Sequence, residues 1–351
     1  MTILIVGLGA VGQRHARNLR AILGGDVDLI AYRVRGLRHV VTPALEILAG
    51  RTAEDEYQIR VFDNLELALR EQPTAAFICN PSSMHVTTAL TCVRAGCDVF
   101  IEKPLAGDGH GVSELLEEVA RRGRIGMVGY QLRFHPCFMA LEDWMARGAF
   151  GTLLGIRAVV GEYLPGWHPY EDYREMYASK AALGGGVVLS QIHEIDYLYA
   201  LLGMPRRVFS IGGRLSDLDV DVEDTASTML EFARDGRQVA VHLHQDYLQR
   251  PANRSCEVIG TDGRAVMDLA SLTFTSHDSA GPPSRTQQWT GWNRNEAFLA
   301  EARHFLNCVA TRAKPVVDLS DGFASLRVAL AIKQSLVTGG IVDVAEPDTE
   351  T

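Results

Sequence analysis

Along the first 130 residues, short apolar runs alternate with segments of helical period. Ile3–Val6, Val27–Tyr32, Ala75–Cys79, Val99–Glu102 and Ile125–Gly129 are brief, apolar on both faces and bounded by turn residues. Strands buried on both sides of a parallel sheet read this way. Between them, Val11–Leu23, Met84–Ala95 and Val112–Arg121 carry the spacing of helices. The alternation predicts a parallel sheet with helices on both faces. Residues 33–60, rich in Arg and Glu, break the pattern and predict a loop with a short helix.

After about residue 130 the pattern changes. His135–Arg147 reads as a helix and Leu154–Gly161 as a strand, followed by an aromatic and charged loop from Glu162 to Leu183. One helix is predicted from Val187 to Leu202, stopped by Gly203 and Pro205. Then Val208–Gly213, Thr225–Phe232, Gln238–Gln245, Ser255–Gly260, Ala265–Asp268 and Leu272–Ser276 follow without intervening helices. Asp-Gly turns at 235–236 and 262–263 join two pairs of them, a hairpin signal that predicts an antiparallel sheet. Asn293–Val309 and Leu319–Leu336 read as closing helices, free to pack back on the first unit.

Composition narrows the class. A length of 351 residues fits two domains, and 47% hydrophobic with 22% charged residues is ordinary for a globular chain, so disorder and fibre are excluded. The net charge of −9 and the lack of a Lys/Arg run argue against nucleic acid as a partner. No apolar stretch reaches the roughly 20 residues of a membrane span, and the apolar start, Met1–Val11, reads as a first strand rather than a signal peptide. Six scattered cysteines, with no metal-ligand spacing among them, read as free thiols in a reducing cytoplasm. No metal site is expected.

Gly7-Leu8-Gly9-Ala10-Val11-Gly12 is a G-x-G-x-x-G placed after a strand and at the start of a helix, the context in which that pattern binds a dinucleotide. Gly7 permits the turn, Gly9 admits a pyrophosphate, and Gly12 lets helix and strand approach. Ala10 and Val11 lie at the helix N-terminus, where free N–H groups meet phosphate. Where an NAD site carries an acidic residue at the end of the second strand, this chain has Arg33, Arg35 and Arg38. Arginines there can pair with a 2′-phosphate, which favours NADP(H), with NAD(H) as the alternative. Asn80-Pro81-Ser82-Ser83-Met84-His85 and Glu102-Lys103-Pro104 stand at the carboxyl ends of later strands, where ligands of such sheets bind. The fold class is therefore α/β. A Rossmann dinucleotide-binding domain is expected over 1–130, and an α+β domain with an open, mainly antiparallel sheet over 131–345.

Taken with Gly129–Phe134 and the segment from Gly184-Gly185-Gly186 to Asp196, these motifs resemble the glucose–fructose oxidoreductase / inositol dehydrogenase / MocA family. The resemblance spans residues 1–200. It implies a nicotinamide-dependent oxidoreductase whose second domain carries a sugar-like substrate and often an oligomer interface, so a homo-oligomer, dimer or tetramer, is expected. It also implies that Lys103 hydrogen-bonds the reacting hydroxyl and that His193 is general acid/base. The family's usual Asp four residues before that His is Leu189 here, with Ser190 the nearest polar group. Asn80, Pro81, His85, Glu102 and Lys103 are the further expected cofactor contacts, and Arg133 and Phe134 hinge or cofactor-side contacts. Lys103, His168, Tyr173, Gln191, His193 and Asp196 are the expected substrate contacts, and Lys180 is placed to meet an acidic substrate group. The aromatic density of 166–174 suits a carbohydrate ring. The competing readings are a non-catalytic cofactor- or sugar-sensing regulator on the same fold, and a dehydrogenase of a non-sugar substrate.

Overall fold

The structure is a computed structural model that describes residues 1–36, 39–278 and 285–344. Its first sheet is fully parallel, in the order Ile59–Phe62, Asp28–Tyr32, Thr2–Val6, Ala75–Ile78, Asp98–Glu102, Gly126–Gly129. Its central strands are buried on both faces, as their unbroken apolar runs require. The strand order reverses between Thr2–Val6 and Ala75–Ile78. That switch point opens a crevice at the carboxyl ends, which is the usual ligand site of such sheets.

Residues 33–60 depart from expectation. The short helix is there, Ala53–Tyr57, but a hairpin of His39–Val41 and Ile47–Thr52 precedes it and the edge strand Ile59–Phe62 follows. Ile47–Thr52 is almost wholly exposed, so no apolar alternation announces it. Gln13 fastens the hairpin over the glycine turn, donating to the His39 carbonyl at 3.0 Å and accepting from the Val41 N–H at 2.8 Å. Arg38 lies outside the described residues.

The second sheet runs Arg285–Gln288, Thr273–Asp278, Gly263–Asp268, Asn253–Gly260, Leu153–Gly161, Arg237–Asp246, Thr225–Arg234, Arg207–Gly213, Val342–Asp343. Its neighbours are antiparallel except Leu153–Gly161 beside Arg237–Asp246. Strand Arg285–Gln288, exposed throughout, was not anticipated. The predicted helix over 187–202 is broken into Val187–Ser190 and His193–Leu202, and the break matters for the site.

The closing helices reach back to the first sheet. Asn295–Thr311 lies against the helix Ala10–Leu23, where Asn18 and Asn295 exchange amide hydrogen bonds, and Phe305 sits edge-on to Phe77 and Phe100. Leu319–Thr338 begins with an Asp318/Asp321 capping box and crosses the strand Gly126–Gly129 closely enough that a Cβ on Gly126 would fall 2.7 Å from Leu319. All six cysteines are free thiols. Among the described residues no helix is long and apolar enough to cross a membrane.

Candidate active site

The glycine turn has the shape its sequence predicts. Gly7 has φ +93°, and a Cβ on Gly12 would fall 1.9 Å from the Gly7 carbonyl oxygen, so helix and strand meet only without side chains there. Gly9 has nothing within 4 Å of where a Cβ would stand. No side chain caps the helix Ala10–Leu23, and its first turn carries no acid. An open glycine facing uncapped N–H groups is a cradle for a pyrophosphate.

From this turn a cleft of about 890 Å³ runs between the two sheets. That volume lies at the upper end for ligand sites, room for a dinucleotide and a small second molecule. Gly7, Gly9, Ala10, Val11, Arg33, Arg35, Asn80, Pro81, His85, Glu102, Lys103, His168, Gln191 and His193 all line it. Gly12, Tyr173 and Asp196 do not.

The break in the helix over 187–202 builds the reacting end. Interrupting a helix frees carbonyls from their i+4 partners. The Ser190 carbonyl accepts from Lys103 Nζ at 2.7 Å, and the Gln191 carbonyl accepts from Gln245 Nε2 at 2.9 Å. Gln191 Nε2 in turn donates to the Asp246 carbonyl at 2.9 Å. His193 starts the second helical piece, edge-on to the Tyr130 ring at 5.7 Å. Its Nδ1 is buried without a hydrogen-bond partner, as is Ser190 Oγ, among the described residues. Burial first, then the charges of Lys103, Arg254 and Arg294, hold the imidazole well below its ordinary pKa. His193 is therefore neutral at pH 7 and free to accept a proton.

Two expected substrate contacts are redirected. Asp196 is buried on the far side of the helix, paired with Arg133 at 2.6 and 3.1 Å. Residues three apart share a helix face only approximately, and here the imidazole turns to the cleft while the carboxylate turns to the core. Arg133 is spent on this pair, and Phe134 packs against His304, so neither faces the cofactor turn. The Tyr173 hydroxyl accepts from the Asp219 N–H at 3.1 Å, and Lys180 meets Glu175 at 3.5 Å. His168 does face the cleft, held to Glu171 at 2.8 Å and stacked on Tyr170.

Two expected cofactor contacts that line the cleft also have partners within the protein. Arg33 forms an ion pair with Glu54. His85 has Nδ1 at 2.8 Å from the Pro104 carbonyl and Nε2 at 2.8 Å from the Asn80 carbonyl, so it ties the two strand-end loops together. Ser82 extends the same seam, with its hydroxyl donating to the Gly184 carbonyl at 3.1 Å.

Residues 1–130 match the oxidoreductase family with an NAD-binding Rossmann fold, and residues 138–266 match the GFO/IDH/MocA C-terminal domain. The chain belongs to the Gfo/Idh/MocA family. It is a nicotinamide-dependent oxidoreductase of that family. It is 27% identical over 350 residues to a myo-inositol 2-dehydrogenase of Thermotoga maritima, covering 96% of each chain. Its fold is like that of a myo-inositol 2-dehydrogenase from Lactobacillus plantarum, with TM-score 0.79, 24% identity and coverage of 98% of this chain and 99% of that one. It is also like a levoglucosan dehydrogenase in complex with NADH and levoglucosan, with TM-score 0.82, 19% identity and coverage of 99% and 100%.

The motifs name only part of the cleft lining. Arg14, Glu162, Tyr163, Arg250, Arg254 and Arg294 also line the cleft. The buried pair of Glu194 with Arg254, at 2.8 and 2.9 Å, clamps the His193 helix from a strand 60 residues away in sequence. The sequence signal was an arginine inside an otherwise half-buried strand, and its partner could not be named from spacing.

Behind the Gfo/Idh/MocA lysine lies a closed acidic group. His15 Nε2 and Glu102 Oε1 are 2.6 Å apart, and Glu301 completes a set whose ligating atoms lie within 4.8 Å of one another. Both Glu301 oxygens are buried without a partner among the described residues. Burial, then the Glu102 charge, pushes the Glu301 carboxyl well above the carboxylate range and so favours its protonated form. The sign follows. Above about pH 4.3 the unfolded chain releases this proton while the folded chain keeps it, so the group's contribution to stability falls as pH rises. Glu301→Gln should remove that slope. Relative to the parent, its Tm should rise between pH 5 and pH 8, and a pH-independent difference would show that Glu301 is ionised.

Proposed function

We propose that this chain transfers hydride between a nicotinamide and a secondary alcohol or ketone of a sugar-like substrate, a cyclic polyol or a relative of one. The observation that carries the reading is the placement of Lys103 and His193 on one cleft with the open glycine turn. Gly7, Gly9, Ala10 and Val11 would hold the pyrophosphate, with Asn80 and Pro81 on the nicotinamide side. When bound, the cofactor supplies the hydride acceptor or donor. Lys103 Nζ, anchored on the Ser190 carbonyl, keeps two further N–H donors for the reacting oxygen. Neutral His193 takes the hydroxyl proton in oxidation and returns it in reduction. Inositol and levoglucosan, named in the relatives, support a ring-shaped polyol. The test is a panel of inositols, anhydrosugars and hexoses with NAD+ and NADP+, read by absorbance of the reduced nicotinamide. Cofactor binding without turnover of any member would favour the sensing alternative.

The preference for NADP(H) rests on Arg35, which faces the cleft and makes no ion pair among the described residues. Losing a charge-assisted bond to phosphate costs about 1.5–3 kcal/mol. Arg35→Ala should therefore weaken NADPH binding by roughly 10- to 100-fold and leave NADH within about twofold. Equal effects in a titration of both would remove the preference.

A dimer or tetramer belongs to the same proposal. The apolar side chains of Leu154, Ile211 and Met229 are exposed on the second sheet, a face that a second copy would cover. Light scattering decides it.

A further inference from the structure

We infer that the substrate carries an oxyanion, a carboxylate or a phosphate, seated at Arg294 and Arg250 beside the reacting centre. The inference deepens the dehydrogenase reading and names the class of its substrate.

The cleft is unevenly charged, although the chain as a whole is acidic. Three carboxylates line it, and two are already engaged, Glu102 with His15 and Glu171 with His168. Among the cations of its second-domain wall, Arg254 has its partner in Glu194. Arg294 and Arg250 have no ion pair or hydrogen bond among the described residues. Arg294 immediately precedes the helix Asn295–Thr311 and presents its side chain to the cleft. The Arg250 guanidinium carbon stands over the Tyr163 ring, 3.6 Å from its centroid, and its N–H groups donate no hydrogen bond among the described residues. Glu162 alone is left to answer two free guanidinium groups.

The neighbourhood registers the excess. Burial and then Arg254 lower the Arg294 pKa, with Glu162 and Glu102 opposing. His135 is pushed down to about 4 by burial, Arg254 and Arg294. Both arginines also act on His193. Like charges gathered in a partly desolvated cleft are costly unless an anion joins them. A planar fork of N–H donors suits carboxylate and phosphate in particular. The glycine turn and Arg35 that would meet the cofactor's phosphates belong to the first-domain wall and Arg250 to the second, while Arg294 also acts on Arg14, in the helix after that turn. An anion seated here also has a chemical effect. It offsets the charges that depress His193 and so raises the proton affinity of that imidazole when the substrate arrives.

The experiment measures kcat/KM with glucuronate, glucose 6-phosphate and myo-inositol, each with NAD+ and NADP+, for the parent and for Arg294→Met and Arg250→Met. One anionic probe should exceed myo-inositol at least tenfold, and the better of the two tells carboxylate from phosphate. Its advantage should shrink with added salt. In each variant the anion-to-neutral ratio should fall by roughly 10- to 100-fold, mostly through KM. Turnover of myo-inositol without an anion advantage overturns the inference and leaves the dehydrogenase reading intact. If no probe turns over, calorimetric titration of glucuronate and glucose 6-phosphate into the NADH-loaded protein decides. Saturable binding that Arg294→Met or Arg250→Met abolishes supports the inference while removing the activity. Absent binding, or binding that survives both substitutions, overturns it.

Discussion

Lys103→Met should lower kcat by roughly 10²- to 10³-fold, the cost of removing one donor aimed at a developing oxyanion, while the affinity for the reduced cofactor stays within about twofold. The ammonium is fixed at 2.7 Å from the Ser190 carbonyl, at the carboxyl end of the strand Asp98–Glu102. Methionine keeps much of the stem and loses the donors. An alkoxide developing at the reacting carbon would then have no cation beside it. Steady-state rates with fluorescence titration of NADPH separate the outcomes. An unchanged kcat removes Lys103 from the chemistry. A parallel loss of cofactor affinity makes it a cofactor clamp instead.

Asp196→Ala should destabilise the fold by about 3–5 kcal/mol, because it leaves the Arg133 guanidinium buried without its counter-charge. Denaturant unfolding measures this. The KM of whichever substrate is turned over should stay within about twofold, since the carboxylate faces Arg133 and Ser325 rather than the cleft. Unchanged stability with a raised KM would return Asp196 to the substrate. The contrast with His193 is instructive, because both belong to one short motif and one helix. One serves the cleft and the other holds the helix that carries it.

What the sequence made legible follows from how local each signal is. The glycine turn announced itself because each glycine answers a backbone constraint within six residues. The parallel strands were readable because burial on both faces leaves an unbroken apolar run. The exposed strands Ile47–Thr52 and Arg285–Gln288 leave no such trace. The split at Gln191–Ile192 was hidden for another reason. Apolar residues continue through it at helical spacing, and the carbonyls it frees are satisfied by Lys103 and Gln245, far away in the chain. For the site, Lys103 and His193 were reachable through motifs. Arg33, His85 and Asp196 also have partners within the protein that no spacing names, because Glu54, the two strand-end carbonyls and Arg133 are tertiary neighbours. Arg250, Arg254 and Arg294 sit where no short pattern marks them.

The bond from Lys103 to the Ser190 carbonyl joins the end of the first sheet to the broken helix of the second unit. It works as an interlock. The ammonium comes from the end of one sheet, and its resting place is a peptide oxygen on the other side of the cleft. A motion that parted the two sides of the cleft would break that contact. If Lys103 serves the reacting oxygen as proposed, its readiness is tied to that contact, and parting the two walls would disarm it.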